Sequence, residues 1–151
     1  MGDTGDPAIG LFFSVSIDQH DLGSFVSCDG LGVEVEVHKQ EEGGNHGFVH
    51  QLPGRLKYSN VTLTRPINRD SGKVAQWFAS MATFSGRTSA RITARRPDGS
   101  IVAAWDLVDV IPVRWKGPQL GVDSNKVATE TLELAHHGFL SGAPDLGGVF
   151  G

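Results

Sequence analysis

The chain has 151 residues, 39% of them hydrophobic, and a formal net charge of −4. That balance argues against wholesale binding of nucleic-acid phosphate, and no window approaches the ~20 continuous apolar residues of a membrane-spanning helix. Cys28 is the only cysteine, so no intrachain disulfide forms and no oxidising compartment is implied.

The length suits one domain, and 20 Gly with 7 Pro imply many turns between short elements, which favours a β-rich fold. The N-terminal run MGDTGDPAIG has neither the basic region nor the apolar core of a signal peptide, so the expectation is a chain that stays in the cytoplasm unless exported by other means. Charge is unevenly spread, with net −8 over residues 1–50 and +4 over residues 51–151. A solvated surface explains this. Complementary faces on copies stacked head-to-tail would also carry it.

In chain order, Leu11, Phe13, Val15 and Ile17 alternate with polar residues, which predicts a half-buried strand to Asp18. Asp21-Leu22-Gly23 is expected to turn, a short segment covers Ser24–Asp29, and Gly30-Leu31-Gly32 permits a bend. Val33, Val35 and Val37 predict a strand with the valines inward and Glu34, Glu36 and His38 outward. The stretch from Glu41 onward is Gly-rich, with a short return strand at Phe48-Val49-His50 and a turn at Leu52-Pro53-Gly54. Leu56–Arg65 follows as one strand with neither face cleanly apolar.

Val74, Trp77, Phe78 and Met81 fall on one helical face, with Asp70 or Ser71 as cap and Gly86 as the stop. Ala90, Ile92 and Ala94 point a strand inward and leave Arg91, Thr93 and Arg95 outward. Pro97-Asp98-Gly99-Ser100 then turns the chain into an antiparallel partner, Ile101–Leu107. Pro112 confines Val108–Lys116 to an edge or bulge. Val127–His136 is the last strand, ahead of a Gly-rich tail. The sum is seven or eight strands and one helix, an antiparallel β-barrel or sandwich.

The residues that could carry chemistry do not assemble into a known pattern. Glu133 and His136 have helical metal spacing but lie on a strand, His136 and His137 split across it, and His46 and His50 lack a third ligand. Cys28 has no base beside it, and no G-x-S-x-G elbow occurs. Glu34 and Glu36 share a face, which suits a glycosidase pair and equally an exposed charged strand. Trp105 and Trp115 are candidates for a carbohydrate platform. Arg91 and Arg95 share a face without interleaved aromatics, which favours ion pairing with a neighbour's acids over nucleic acid.

The order of motifs resembles the tail tube proteins of contractile phage tails and phage-tail-like injection systems. It is carried by Phe13-x-Val15-x-Ile17-Asp18, Cys28-Asp29-Gly30-Leu31, Glu42-Gly43-Gly44-Asn45, Leu52-Pro53-Gly54, Lys57-Tyr58 and Val61-Thr62-Leu63-Thr64-Arg65. Trp77, Asp98-Gly99, Trp105, Gly117-Pro118 and Glu130–His136 complete it. His137 and Pro66 depart from residues frequent in relatives.

The resemblance implies one tail tube domain over residues 1–151, with an arm at about 39–51 and a Gly-rich tail. It further implies hexameric rings stacked into a hollow tube, a sheath around it, baseplate and cap proteins at its ends, and cargo in its lumen. No catalytic residue, cofactor or metal is expected, nor any recognition of nucleic-acid sequence, and membranes are met only by mechanical puncture. Assembly would take place in a bacterial cytoplasm. Subunit contacts are expected from Glu41, Glu42, Gly43, Gly44, Asn45, His46 and Phe48 of the arm, and from Arg91 and Arg95.

Overall fold

A computed structural model describes residues 9–18, 20–41, 49–83, 88–118 and 127–139. Ten strands and one helix form among them: β1 (Phe12–Ile17), β2 (His20–Phe25), β3 (Ser27–Asp29), β4 (Val33–Glu41), β5 (Val49–Tyr58), β6 (Val61–Pro66), α1 (Ser71–Met81), β7 (Ala90–Arg95), β8 (Ile101–Leu107), β9 (Ile111–Lys116) and β10 (Thr129–Ala135). One four-stranded sheet has the order β2-β1-β7-β8, and a second has β3-β6-β10-β9. All pairings are antiparallel. The fold is mainly β with a helix, as the sequence implies.

One buried cluster draws on both sheets and on the helix. Val15, Ile17, Leu22, Phe25, Ile92 and Leu107 come from the first sheet, Val61, Leu63, Leu132 and Leu134 from the second, and Val74 and Trp77 from α1. Phe78 and Met81 pack against its margin. The helix therefore covers the core with the expected stripe. Asp70 is its N-cap but makes no side-chain cap hydrogen bond; its carboxylate pairs with Lys73 at 2.9 Å, and the Ser71 hydroxyl donates to Glu130. Gly86 lies outside the described residues.

Several expectations change. Asp21–Gly23 lies within β2, and the chain reverses before it, where Asp18 sits at φ 48 and accepts hydrogen bonds from the Ser89 N–H and hydroxyl. Thr93 is buried, because β7 is central and Ser14 and Ala104 flank it on both sides. Leu52-Pro53-Gly54 does not turn. It runs inside β5, where a register shift opposite Val35–Val37 forms a bulge that tolerates the proline. The break falls later, at Ser59-Asn60, so Leu56–Arg65 is two strands. Gly30 faces this break at φ 97, and a β-carbon there would strike the Asn60 carbonyl.

Among the described residues, strands β4 and β5 pair only with each other, as a separate two-stranded sheet. Their register continues that of β3 and β6: Asp29 faces Thr62, and Val33 faces Tyr58. The hairpin is thus the same ribbon carried past the end of the sandwich. Val33, Val35 and Val37 keep 50%, 48% and 53% exposure, against the expectation that they face inward. Their alternation was read correctly, but among the described residues no opposing layer reaches them.

Candidate assembly surface

The hairpin root is fastened where it leaves the core. Leu31 packs against the buried cluster, and the Tyr58 ring lies 5.5 Å from His136 and 5.6 Å from Phe139. His136 Nδ1 accepts from the Gly138 N–H at 3.1 Å, so its proton sits on Nε2, which donates to the Ser59 carbonyl at 3.1 Å. Burial pushes the His136 pKa down, against the pull of these two hydrogen bonds.

Past the root, Val33, Val35 and Val37 pair with Tyr58, Leu56 and Pro53, which makes one apolar face. Glu34 pairs with Lys57 on the other. Leu56 is exposed too. An exposed apolar face with this continuity marks an interaction site.

Among the described residues, the second sheet ends at β3 on one side and β9 on the other. Along β9, Val113, Arg114, Trp115 and Lys116 are all exposed. Trp115 is nevertheless anchored, its indole N–H donating to Glu130 Oε1 at 2.8 Å. Glu130 is buried and takes two further contacts on Oε2: the Ser71 hydroxyl, and Arg65 Nε at 2.8 Å. Burial works against its charge, but the hydrogen bonds from Ser71, Trp115 and Arg65 outweigh it and hold the carboxyl below its usual range. Arg65 also donates to the Leu22, Ser24 and Asp70 carbonyls, and its guanidinium lies 4.1 Å over the Phe25 ring. Sequence reading missed this pair, since its only signal is the odd-position run Val61, Leu63, Arg65 on one strand face.

Of the residues expected at subunit contacts, Glu41 ends β4 opposite Val49. Glu42, Gly43, Gly44, Asn45, His46 and Phe48 lie outside the described residues. Arg91 Nη1 is bound to both carboxylate oxygens of Asp106, at 3.1 and 3.0 Å. Arg95 donates to the Ser14 hydroxyl and the Gly99 carbonyl. Both arginines do share the outer face of the first sheet, but each is engaged within its own chain.

The chemical candidates stay apart. Trp105 packs against the core from β8 while Trp115 stands on β9 of the other sheet, so they form no common platform. His137 is exposed, 3.4 Å from Asp109. No group of three or more His, Cys, Asp or Glu capable of holding a metal occurs among the described residues, and no helix among them is long and apolar enough to cross a membrane. Burial, helped by Asp29, pushes the Cys28 thiol up to about 12.

Residues 10–140 match the family described as T4-like virus tail tube protein gp19. The chain belongs to this family. It is a tail tube protein, a structural and non-enzymatic component of a phage tail or tail-like particle. A search of curated proteins finds no match. Among solved structures, the tail tube protein is similar to a chain in the sheath–tube complex, extended state, of the PVC extracellular contractile injection system (TM-score 0.75, 18% identity, 94% of this chain and 93% of that one). It is similar also to a chain in the six-fold symmetrised baseplate of the anti-feeding prophage (TM-score 0.71, 22% identity, 90% and 95%). Hcp1 from Flavobacterium johnsoniae is a more distant likeness (TM-score 0.50, 12% identity, 89% and 98%). At these identities the structures speak to the fold.

Proposed function

We propose that this tail tube protein is the inner-tube subunit of a contractile injection system. Six copies close a ring, rings stack into a hollow tube inside a sheath, and sheath contraction drives the tube through a target envelope. The family match over residues 10–140 carries this reading, and the likeness to a chain of a sheath–tube complex supports it. Sheath, baseplate and cap proteins are its other partners, and its lumen holds any cargo. Residues 1–151 work as one tube domain, put together in a bacterial cytoplasm, and membranes are met only through puncture.

Within the assembly, the arm at about 39–51, including Glu41, Glu42, Gly43, Gly44, Asn45, His46 and Phe48, reaches an adjacent subunit. Arg91 and Arg95 lie on the face it meets. Both keep part of their guanidinium at the surface, which leaves room for an acidic partner beyond their contacts in the chain. A second reading, a ring at the baseplate that starts the tube without polymerising, draws on the baseplate likeness. Negative-stain microscopy of the purified protein separates them: long tubes support the first, single rings the second, and monomers at high concentration overturn both.

A further inference from the structure

Both strands of the hairpin leave the sandwich through a narrow joint. On one side it is Gly30-Leu31-Gly32, with Gly30 at φ 97 and open space around Gly32. On the other, β5 ends at Tyr58 and β6 begins at Val61.

This joint is gripped by residues 136–139, a strap that runs from the end of β10 to the end of β8. The His137 N–H donates to the Val108 carbonyl and the Val108 N–H to the Gly138 carbonyl, both at 2.9 Å. Phe139 bridges to Leu107. The strap is thus tied to both sheets and moves with the sandwich. Its other side holds the hairpin. Gly138, at φ 131, presents bare backbone to Tyr58, and a β-carbon there would come within 3.1 Å of the ring. His136 and Phe139 flank the same ring, and His136 Nε2 donates to the Ser59 carbonyl.

The groups that face the His136 ring are Tyr58, Phe139, the Ser59 carbonyl and the Gly138 N–H. His137 acts on it through charge and is itself exposed, beside Asp109. None of the groups facing the ring is a carboxylate that would hold a second proton there. A proton added at Nδ1 meets the Gly138 N–H donor against donor, in a residue only 7% exposed.

We propose that the 136–139 strap is an acid-released latch: it fixes the hairpin for assembly at neutral pH and lets it go when His136 gains a second proton, while the sandwich stays folded. The assembly half rests on the tube reading above. A freed imidazole returns to its ordinary 6.5, so from pH 7.5 to 5.5 the released form gains up to about tenfold over the latched one. A two-stranded ribbon is marginal by itself, so release lowers protection all along it.

Amide hydrogen exchange on dilute, unassembled protein reads the latch. Protection factors at residues 33–37 should fall about five- to tenfold between those pH values, while those of β7 hold. His136→Gln and His136→Asn, checked for folding by circular dichroism, should show no such fall, and His137→Gln should keep it. By negative stain, tubes of the unaltered chain should be lost at pH 5.5 and persist in the His136 variants. An unchanged hairpin, an equal fall in β7, a folded His136 variant that still responds, a silent His137→Gln, or tubes indifferent to pH overturns the proposal. An unaltered chain that assembles at neither pH overturns the tube reading instead, and exchange alone then decides the latch.

Discussion

Arg65 and Glu130 meet at 2.8 Å with 1% and 0% of their side chains exposed, joining β6 to β10 beneath the start of α1. Neither charge has an exit to water. Removing one leaves the other buried and uncompensated, which costs about 3–5 kcal/mol. Glu130→Ala should therefore lower unfolding free energy by that amount in urea titration, and lower Trp115 order as seen by fluorescence anisotropy. A loss under about 1 kcal/mol would mean that Arg65 finds other acceptors sufficient.

His136 sets a pH dependence at the hairpin root. Its folded pKa lies below the ordinary 6.5, so above that pH the ring is neutral in both states and its contribution is complete. As pH falls through 6.5, the unfolded chain takes up a proton that the folded one refuses, and stability declines until the lower folded value is passed. Protonation of Nδ1 also breaks the bond from the Gly138 N–H. Urea midpoints at pH 7.5 and 5.5 should differ in that direction, and His136→Gln should shrink the difference.

Cys28, with its thiol pushed up to about 12, is almost wholly protonated at neutral pH. Thiolate is the reactive species. A disulfide reagent at pH 8 should modify the native protein far more slowly than the urea-unfolded chain. Equal rates would show the site to be open.

Val35→Thr probes the hairpin face without disturbing the core. The side chain is already half exposed, so the stability of the unassembled chain should stay within about 0.5 kcal/mol. Assembly should weaken, read as a higher protein concentration at the onset of light scattering. An unmoved onset would free this face from any part in the contact.

Sequence period was legible wherever the chain covers its own faces. β1, the Trp77 face of α1, and the β7–turn–β8 unit around Asp98-Gly99 all follow the expected pattern, because their apolar residues meet partners nearby in space. Val33–Val37 shows the limit: alternation defines two faces without saying which layer covers either. Pro53-Gly54 reads as a turn from local chemistry, yet an unshared edge accepts both residues in a bulged strand. Arg65 and Glu130 were least visible. Charged residues read as solvated, and only the β6–β10 register brings together two side chains 65 positions apart. Arg91 and Arg95 were legible as outward-facing, but their bonds to Asp106, Ser14 and Gly99 depend on tertiary neighbours.

Trp115 stands on the outermost strand, where a large side chain would ordinarily sample many rotamers. Its link through Glu130 to Ser71 removes that freedom while the chain folds. Immobilising such a side chain at a binding event costs about 0.5–1.5 kcal/mol. The edge of a newly folded subunit is consequently rigid before any neighbour arrives, and less conformational entropy is lost at each encounter along a growing polymer.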